Sequence, residues 1–485
     1  MLSTATIHST TTLHDSFRAV AADIAALNNT LQEAPISDDF HSPIDTDTSF
    51  INSQVDEVKT LIKQLFSYRA TLLRNRNFRR SAICKLPPEA LGEIFQHVCY
   101  PDTKKFTVPT RLGAICSHWR HVAWSVPQLW TELNIGGRFW KSSYRLRLLD
   151  LYYKNMGGLL FNITIRRAPE ENSKNARGVP FQDVFDRLFI RHADRLKTLT
   201  FEELPVSWFS SLEKASNTGQ GFPNLESLEF SDNCCDNPLI SLALFFLKKN
   251  PPIAFYNVPN LRRLILRDIT STVEFPWAQL TELSLSDINS ETALDIVLQC
   301  QNIVTLKLED LMTSPDIEVT LPNEELVLQN LEVFEYRSSH LSVHWEKALV
   351  KCLSFTNSLK KLIWLTRDGT PDLRREFLLR LPTSITELRL DSSKDRDNIR
   401  DLEEILVRLT SLRTIMLHLE DPIDLETVEL LTVKEEASLL PTLRSIGLVM
   451  MRSEYDYQQM ADILNMVRSR WEEGYDVDSG FQSGA

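Results

Sequence analysis

The segments Leu261-Arg-Arg-Leu264-Ile-Leu266 and Leu280-Thr-Glu-Leu283-Ser-Leu285 follow one pattern. Each has leucine, two variable residues, leucine, one variable residue and a third apolar residue. The same pattern, with occasional aromatic or isoleucine replacements, begins at Leu196, Leu225, Ile303, Leu331, Leu359, Ile385, Leu412 and Leu443. Its last three positions alternate apolar, variable and apolar, which is the period of a half-buried β-strand. One match would be chance, but ten in succession predict an array of strands.

The spacing between these segments indicates how the strands are arranged. Most segments start roughly 20 to 30 residues after the previous one, which is the range of leucine-rich repeats. Helical patterns lie between them, for example around Ile405 and around Phe377. A unit of one strand and one helix cannot bury its own apolar face, whereas stacked units can. We therefore expect an α/β fold in which residues 136–451 form an irregular leucine-rich-repeat solenoid with strands on its concave side.

The rest of the chain divides into zones of different composition. The sequence predicts a largely disordered segment over residues 1–50, an amphipathic helix over 51–80, a small all-α domain over 83–135, a capping helix over 452–473 and a disordered tail over 474–485. The N-terminal segment is predicted to be disordered because it carries too little apolar material to offset the entropy of the chain.

The predicted helix over residues 51–80 has an apolar stripe with spacings of three and four residues. Its members are Ile51, Val55, Val58, Ile62, Leu65 and Leu72. Leu61 and Phe66 widen the stripe, and Arg69 interrupts it. Two interpretations remain open, a dimerising coiled coil and a helix packed on its own protein. The width of the stripe favours the packed helix.

Three short helical patterns occupy residues 83–135. The first follows Leu86-Pro87-Pro88-Glu89, where proline suits the first helical turn and the glutamate complements the helix dipole. The apolar positions of the first two helices are Leu91, Ile94, Phe95 and Val98, then Leu112, Ile115, Cys116 and Trp119. Helices this short bury little surface, so part of their apolar surface is expected to face a partner.

Composition and charge exclude several classes of function. The 485-residue chain has a formal charge of −12, and such an acidic surface repels nucleic acid. Its longest apolar run is well short of the ~20 residues that a membrane span needs, so no membrane partner is expected. The seven cysteines are irregularly spaced, which suits reduced thiols and predicts an intracellular protein of the cytoplasm or nucleus.

Residues 83–135 resemble the F-box. The resemblance rests on Leu86-Pro87, on the helix with Leu91, Ile94 and Phe95, on Cys116-Ser-His-Trp119-Arg120 and on Pro127-Gln-Leu129-Trp130. With the preceding helix and the following repeats, the chain is similar to the F-box/leucine-rich-repeat proteins that are numerous in mushroom-forming fungi. It departs from that pattern in the loop from Cys99 to Thr110, which is longer than the usual F-box turn.

The resemblance implies a non-catalytic substrate-recognition adaptor of an SCF-type ubiquitin ligase. A Skp1-like subunit would receive the F-box helices and bridge to a cullin, and the repeats would bind a protein substrate. The docking residues that it implies are Leu86, Pro87, Leu91, Ile94, Phe95, Leu112, Cys116 and Trp119. Periodicity alone is also compatible with an ordinary helical subdomain whose apolar faces pack internally.

The candidate substrate face consists of the side chains that alternate with the inward leucines of the repeats. They are Glu229, Ile265, Ser284, Lys307, Glu335, Ile363, Arg389 and Met416. Their mixture of acidic, basic and apolar character favours a protein partner over a phosphate or a lipid. A plain solvated surface is the alternative.

Several other clusters have simpler explanations than a metal site. Asp232, Asp268, Asp287 and Asp310 each lie four residues after the second leucine of a repeat, where a turn or a helix cap accounts for them better than a cation site. The pairs His340/His344 and His118/His121 lack a second ligand cluster, and Cys234-Cys235 lacks a redox motif.

The basic run from Leu73 to Arg80 is either a nuclear address or, more simply, the solvated end of a helix. The sequence contains no nucleophile elbow, Walker loop, dinucleotide fingerprint or zinc-protease helix. We therefore expect no enzymatic activity, no metal and no cofactor.

Overall fold

The computed structural model describes most of the chain in separate stretches. They are residues 44–99, 108–136, 144–166, 185–202, 221–231, 253–255, 257–267, 273–312, 326–338, 343–366, 371–392, 398–419, 425–433, 439–450 and 457–470, with isolated positions from 18 to 29 and from 208 to 215. The predicted tail 474–485 and most of the predicted segment 1–50 lie outside this part. No helix within it is long and apolar enough to cross a membrane.

Two compact units make up the chain. The first contains residues up to 102 and residues 107–129, and the second contains residues 103–106 and everything from 130 onward. The sequence pattern instead predicts that the small α-helical domain ends at residue 135. The difference arises because residues 132–136 form a strand of the second unit.

The first unit is helical. Its long helix α1 (Ile44–Arg80) begins seven residues before the predicted residue 51. A 3-10 turn over Ala82–Lys85 follows, and the other helices are α2 (Pro88–Cys99), α3 (Val108–Ile115) and α4 (Ser117–Ser125), with a last 3-10 turn at Pro127–Trp130.

Helices α3 and α4 approach each other closely. Gly113 of α3 is buried, and a Cβ atom at this position would overlap the ring of Trp124. The Nε of Arg120 donates a hydrogen bond to the carbonyl oxygen of Gly113 at 2.8 Å, which links the same two helices. The small side chain therefore sets the distance between the helices.

The second unit contains a parallel sheet of twelve strands in chain order. The strands are β1 (Glu132–Gly136), β2 (Phe161–Arg166), β3 (Leu196–Glu202), β4 (Ser227–Ser231), β5 (Arg263–Arg267), β6 (Glu282–Ser286), β7 (Thr305–Glu309), β8 (Val333–Ser338), β9 (Lys361–Thr366), β10 (Glu387–Ser392), β11 (Thr414–Leu419) and β12 (Ser445–Met450). Two short parallel pairs join Ile253–Ala254 to Val273–Glu274 and Leu326–Leu328 to Leu353–Phe355.

Helices connect many of the strands. They are α5 (Tyr144–Asn155), α6 (Ser290–Gln299), α7 (Val343–Cys352), α8 (Pro371–Leu379), α9 (Asn398–Arg408), α10 (Leu425–Leu431) and α11 (Tyr457–Arg470), with short helical turns at Asp186–Ile190, Ala193–Arg195 and Trp277–Gln279. Asn289 precedes α6 as its N-cap residue, and its side-chain oxygen accepts hydrogen bonds from the backbone N–H groups of Glu291 and Thr292. A side chain of this type satisfies helix donors that have no partner within the helix.

Each of the ten repeat segments of the sequence, from the one at Leu196 to the one at Leu443, overlaps one strand, in the order β3 to β12. The strand register places the second leucine of one segment beside that of the next, as in Leu264, Leu283 and Leu306, and these side chains are buried. The predicted α/β class is confirmed, and the parallel sheet with its helices is compatible with a solenoid. The strands β1 and β2 precede the first quoted segment.

The end of the sheet is followed by α11, whose Ile463 and Met466 are buried. The guanidinium group of Arg470 donates hydrogen bonds to the carbonyl oxygens of Leu431, Leu439 and Leu440. The helix thus satisfies carbonyl groups of the chain segments before the last strand.

Candidate functional site

The eight predicted substrate-face residues lie in one row across the sheet. The strand register places Glu229 beside Ile265 and continues through Ser284, Lys307, Glu335, Ile363, Arg389 and Met416. We call this the central row, and we call the face that alternates with the buried leucines the open face. The row follows directly from parallel pairing in register, because equivalent positions of neighbouring strands then share a face.

Five members of the central row line a cavity of about 300 Å³ on the open face. They are Glu229, Ile265, Ser284, Lys307 and Glu335. Four other lining residues, Arg267, Leu308, Glu309 and Arg337, are not among those predicted from the sequence. Three of these four stand two positions after a central-row residue of their own strand, so the alternation of strand residues could have identified them.

The other three members of the row lie outside this cavity. Ile363 is buried and therefore contributes no surface to a ligand. Met416 lies over Gly447 of β12, where an added Cβ atom would come within 3.1 Å of its Cε. Arg389 is held by Glu387 of its own strand at 2.8 Å. The open face is thus divided into a cavity over β4 to β8 and a separate charged region over β9 to β11.

Charges in the cavity are balanced and partly paired. Glu335 lies 3.8 Å from the Nζ of Lys307 and 2.5 Å from the Nε of Arg337. The lining contains three cations and three carboxylates, so it is formally neutral in a chain of charge −12. Such a surface can hydrogen-bond a polar peptide of either sign, with Lys307 and Arg337 able to exchange Glu335 for a ligand carboxylate.

The charged region beyond the cavity is built around Glu387. Partial burial raises the pKa of this carboxyl, but hydrogen bonds and charges from Lys361 and Arg389 outweigh burial and hold its pKa below the ordinary range. His418 on β11 has a lowered pKa, first because of burial and then because of the charges of Arg337 and Arg389. At neutral pH this part of the open face therefore presents arginine and lysine beside a neutral histidine.

A second charged cluster lies inside the second unit. Glu346 and Asp391 are buried, and both lie near Arg374. Burial lowers the pKa of the Arg374 guanidinium, while the two carboxylates act in the opposite direction. Buried charges of opposite sign compensate one another, so we interpret this cluster as structural.

The predicted docking residues of the first unit fall into three groups. Leu91, Phe95 and Leu112 are buried; Leu86, Cys116 and Trp119 are half-buried; Pro87 and Ile94 are exposed. Phe95 and Trp119 pack with their ring centroids 4.9 Å apart. The Sγ of Cys116 accepts the backbone N–H of Trp119 at 3.4 Å and so begins α4. Most of these side chains therefore pack within the helical unit, and only Pro87 and Ile94 are exposed on its surface.

The exposed apolar side chains of this unit were only partly anticipated. On α2, Ile94 is 39 % exposed and Val98 is 51 % exposed, whereas Leu91 and Phe95 on the same apolar face are fully buried. Ile83 and Ile115 are exposed on neighbouring segments. The unit's own core covers one half of the apolar face of α2 and leaves the other half in solvent.

Two of the four aspartates after the repeat leucines, Asp287 and Asp310, lie at bends that follow strands. Asp287 and Asp310 have φ values of 53° and 45°, the left-handed region that Asp tolerates better than most residues. Their backbone N–H groups donate to the carbonyl oxygens of Glu309 and Arg337. Asp232 and Asp268 lie outside the described residues. Within those residues no group of three or more potential ligands could hold a metal ion.

The remaining sequence candidates are unremarkable where the structure describes them. His118 is half-buried and His121 is exposed on α4, whereas His340, the side chain of His344 and Cys234-Cys235 lie outside the described residues. Burial raises the pKa of Cys99 to about 11 and that of Cys300 to about 12, which keeps these thiols protonated and unreactive. The basic run from Leu73 to Arg80 forms the exposed end of α1.

A scan against models of known protein families and a search of curated proteins found no match to this chain.

Proposed function

We propose that the protein is a substrate-recognition adaptor of an SCF-type ubiquitin ligase. In this proposal the helices of the first unit form an F-box that docks on a Skp1-like subunit and, through it, on a cullin. The twelve-stranded sheet belongs to an irregular leucine-rich-repeat solenoid whose open face binds a protein substrate in the cytoplasm or nucleus. The chain itself performs no catalytic step.

The observation that carries the proposal is the divided apolar face of α2. A helix of a small domain normally buries its apolar face in its own core, yet Ile94 and Val98 remain in solvent one turn apart. Neighbouring exposed apolar side chains favour a protein–protein contact. The resemblance of residues 83–135 to the F-box indicates that this partner is a Skp1-like subunit. Exposed apolar side chains on α2 support such a contact.

The open face supports the second half of the proposal. Its cavity is lined by residues of five successive strands and offers both carboxylates and cations. A surface of this composition suits a folded or extended polypeptide, because backbone amides and mixed side chains can satisfy both signs of charge.

The test of docking is a binding measurement between the full chain and purified Skp1. Ile94→Asp places a charge on the exposed half of α2 without disturbing the buried Leu91 and Phe95, so we expect binding to fall by about tenfold or more. The matched control is Val407→Asp, because Val407 is 58 % exposed on α9 of the other unit. Wild-type protein that does not bind Skp1, or equal binding by both variants, would contradict the proposal.

A second candidate function is an interaction scaffold that acts outside a ubiquitin ligase. The exposed apolar residues of α1 favour it, since they offer a contact that ligase docking does not use. Isolation of the protein from its own cells separates the two functions. A cullin recovered with the wild type but not with Ile94→Asp supports the adaptor, and recovery of other proteins without a cullin supports the scaffold.

A further inference from the structure

Helix α1 carries an apolar stripe that the rest of the described chain leaves uncovered. We define the α1 stripe as Ile51, Val55, Ile62, Phe66 and Leu73, all of which are exposed. Phe66 is 63 % exposed and Ile62 is 45 % exposed, although both are large and apolar. Spacings of four and seven residues keep these side chains on one side of the helix. The packed-helix interpretation of the sequence thus accounts for only part of the surface of α1.

What the protein itself covers is a neighbouring face of the same helix. Leu61 is buried, and Val58, Tyr68 and Thr71 are half-buried. This face lies beside the α1 stripe, so the helix has one side turned toward its own unit and an adjoining apolar side in solvent. A helix of 37 residues spans about five heptads, which is long enough for a stable two-stranded coiled coil.

Two members of the stripe, Ile51 and Leu73, lie eleven residues on either side of a third member, Ile62. If two copies of Ile44–Arg80 overlap fully in opposite directions, facing residue numbers add to 124, the sum of 44 and 80. Ile62 then faces Ile62 of the second copy, Ile51 faces Leu73, and Val58 faces Phe66. Ile51, Ile62 and Leu73 thus meet exposed apolar residues of the stripe, Phe66 meets the half-buried Val58, and Val55 meets Arg69. The helix is therefore complementary to itself when two copies run antiparallel.

Charge is divided between the two ends of α1. The first part, up to Val58, contains Asp45, Asp47, Asp56 and Glu57 and no basic residue. The second part, from Lys59, contains no acidic residue, and its bases are Lys59, Lys63, Arg69, Arg74, Arg76, Arg79 and Arg80. A parallel pair would bring seven bases against seven, whereas an antiparallel pair sets residues 44–58, with four acids, against residues 66–80, with five bases, at each end. Like charges held together are destabilising, so the antiparallel arrangement is favoured.

Arg69 is the charged residue that interrupts the stripe between Phe66 and Leu73. In a parallel pair it would face its own copy across the seam. In the antiparallel pair it faces Val55, and the next residue along the chain is Asp56. The carboxylate of Asp56 pairs with Lys59 of its own helix at 2.9 Å, but both side chains are exposed and such a pair is weak. An arginine at this position thus opposes one orientation and supports the other.

From these observations we infer that α1 binds α1 of a second copy of this chain in an antiparallel coiled coil, which makes the protein a homodimer. The apolar stripe supplies the contact and the divided charge sets the direction. The inference does not depend on the proposed ligase function, because it concerns a different helix and a different partner.

The first experiment measures the mass of the full chain by sedimentation velocity at several micromolar concentrations. We expect twice the chain mass of 55.8 kDa for the wild type. Ile62→Asp places two carboxylates at the centre of the pair, so its dissociation constant should rise by about tenfold or more. Val407→Asp is the control and should remain dimeric. A wild type that sediments as a monomer, or an Ile62→Asp variant that dimerises as well as the control, overturns the inference.

Orientation is tested by charge reversal and by cross-linking. Arg69→Glu should weaken the antiparallel dimer, and the added reversals Asp56→Lys and Glu57→Lys should restore it; a dimer that these reversals do not restore would contradict the antiparallel arrangement. In a mixture of Ile51→Cys and Leu73→Cys chains, oxidation should join residue 51 to residue 73, as identified by peptide mass spectrometry. Cross-links between two copies of residue 51 would overturn the antiparallel arrangement.

Discussion

The helical first unit and the sheet of the second unit differ in how far their apolar side chains are exposed to solvent. In the first unit, Ile94 and Val98 of α2 remain exposed beside a small core. In the sheet, Leu264, Leu283 and Leu306 are fully buried, and the open face carries charged and polar groups. The comparison teaches that one chain contains two kinds of exposed surface, an apolar one on helices and a polar one on strands.

The difference follows from how each unit is assembled. A strand inside a repeat array has neighbours on both sides, so every added unit buries the apolar row of the previous one. A few short helices have no such neighbours, and a small domain buries a smaller fraction of its surface. Exposure of apolar groups is therefore expected where the chain is not repetitive.

The largest expected effect is the loss of stability when a buried apolar residue is replaced by alanine. The same replacement of an exposed apolar residue serves as the comparison. Leu306→Ala empties a fully buried position between β6 and β8, and the free energy of unfolding should fall by about 2–5 kcal/mol. Ile94→Ala removes a side chain that is largely in solvent, and its effect should be about 0.5 kcal/mol or less. Urea denaturation followed by tryptophan fluorescence measures both.

Equal losses of stability in these two variants would break the comparison. They would mean that Ile94 is covered within its own chain in solution, and the docking surface of α2 would no longer be available. A large loss in the free energy of unfolding for Leu306→Ala, without one for Ile94→Ala, would support the comparison.

A smaller effect is expected where two helices of the first unit approach most closely. Alanine is favoured over glycine in a helix by about 1 kcal/mol, so Gly113→Ala should stabilise α3 if space allowed it. A Cβ atom there overlaps the ring of Trp124, and overpacking of this kind costs about 1–3 kcal/mol. We expect a net loss of stability of up to about 2 kcal/mol, measured by thermal denaturation.

The control for this variant is Gly158→Ala in the second unit, because a Cβ atom at Gly158 meets nothing within 4 Å. Its melting temperature should match that of the wild type. A stabilised Gly113→Ala protein would show that α3 and α4 can separate without cost, and the shape of the helical unit would then depend less on Gly113 than the structure indicates.

Much of the sheet could be predicted because its signal is local. The segment around Leu283 contains both the buried leucines and the alternating Ser284, so the strand and its open face follow from one short stretch. The strands β1 and β2 were missed, although Trp130-Thr-Glu-Leu133-Asn-Ile135 and Leu160-Phe-Asn-Ile163-Thr-Ile165 keep the spacing of the repeat with one leucine replaced in each. Their parallel pairing with each other and with β3 places them in the same sheet.

The candidate sites were less predictable because they depend on groups far apart in the chain. Lys307 and Glu335 form an ion pair across 28 residues, and no local pattern marks it. On α2, periodicity placed Leu91 and Ile94 on one apolar face but did not indicate which of them the core would cover. Burial of that kind is decided by neighbouring helices, so it required the structure.

The smallest expected effect concerns the charged region of the open face, where the polar side of the comparison can be tested by pH. Because burial and then the charges of Arg337 and Arg389 lower the pKa of His418, the unfolded chain binds the proton at higher pH than the folded chain does. Between the two pKa values the unfolded state holds more protons, so stability falls as pH drops below about 6.5. This loss should be absent from His418→Gln.

The measurement is the urea midpoint of wild type and His418→Gln at several pH values between about 7 and 5. The variant should gain stability relative to the wild type as the pH falls, and Arg389→Gln should reduce this difference because one of the opposing charges is gone. The effect is small because His418 remains partly exposed to solvent, which screens those charges. If the two midpoints instead stayed parallel over this range, His418 would be solvated independently of the arginines, and the open face would lack the electrostatic coupling that distinguishes it from the apolar helices.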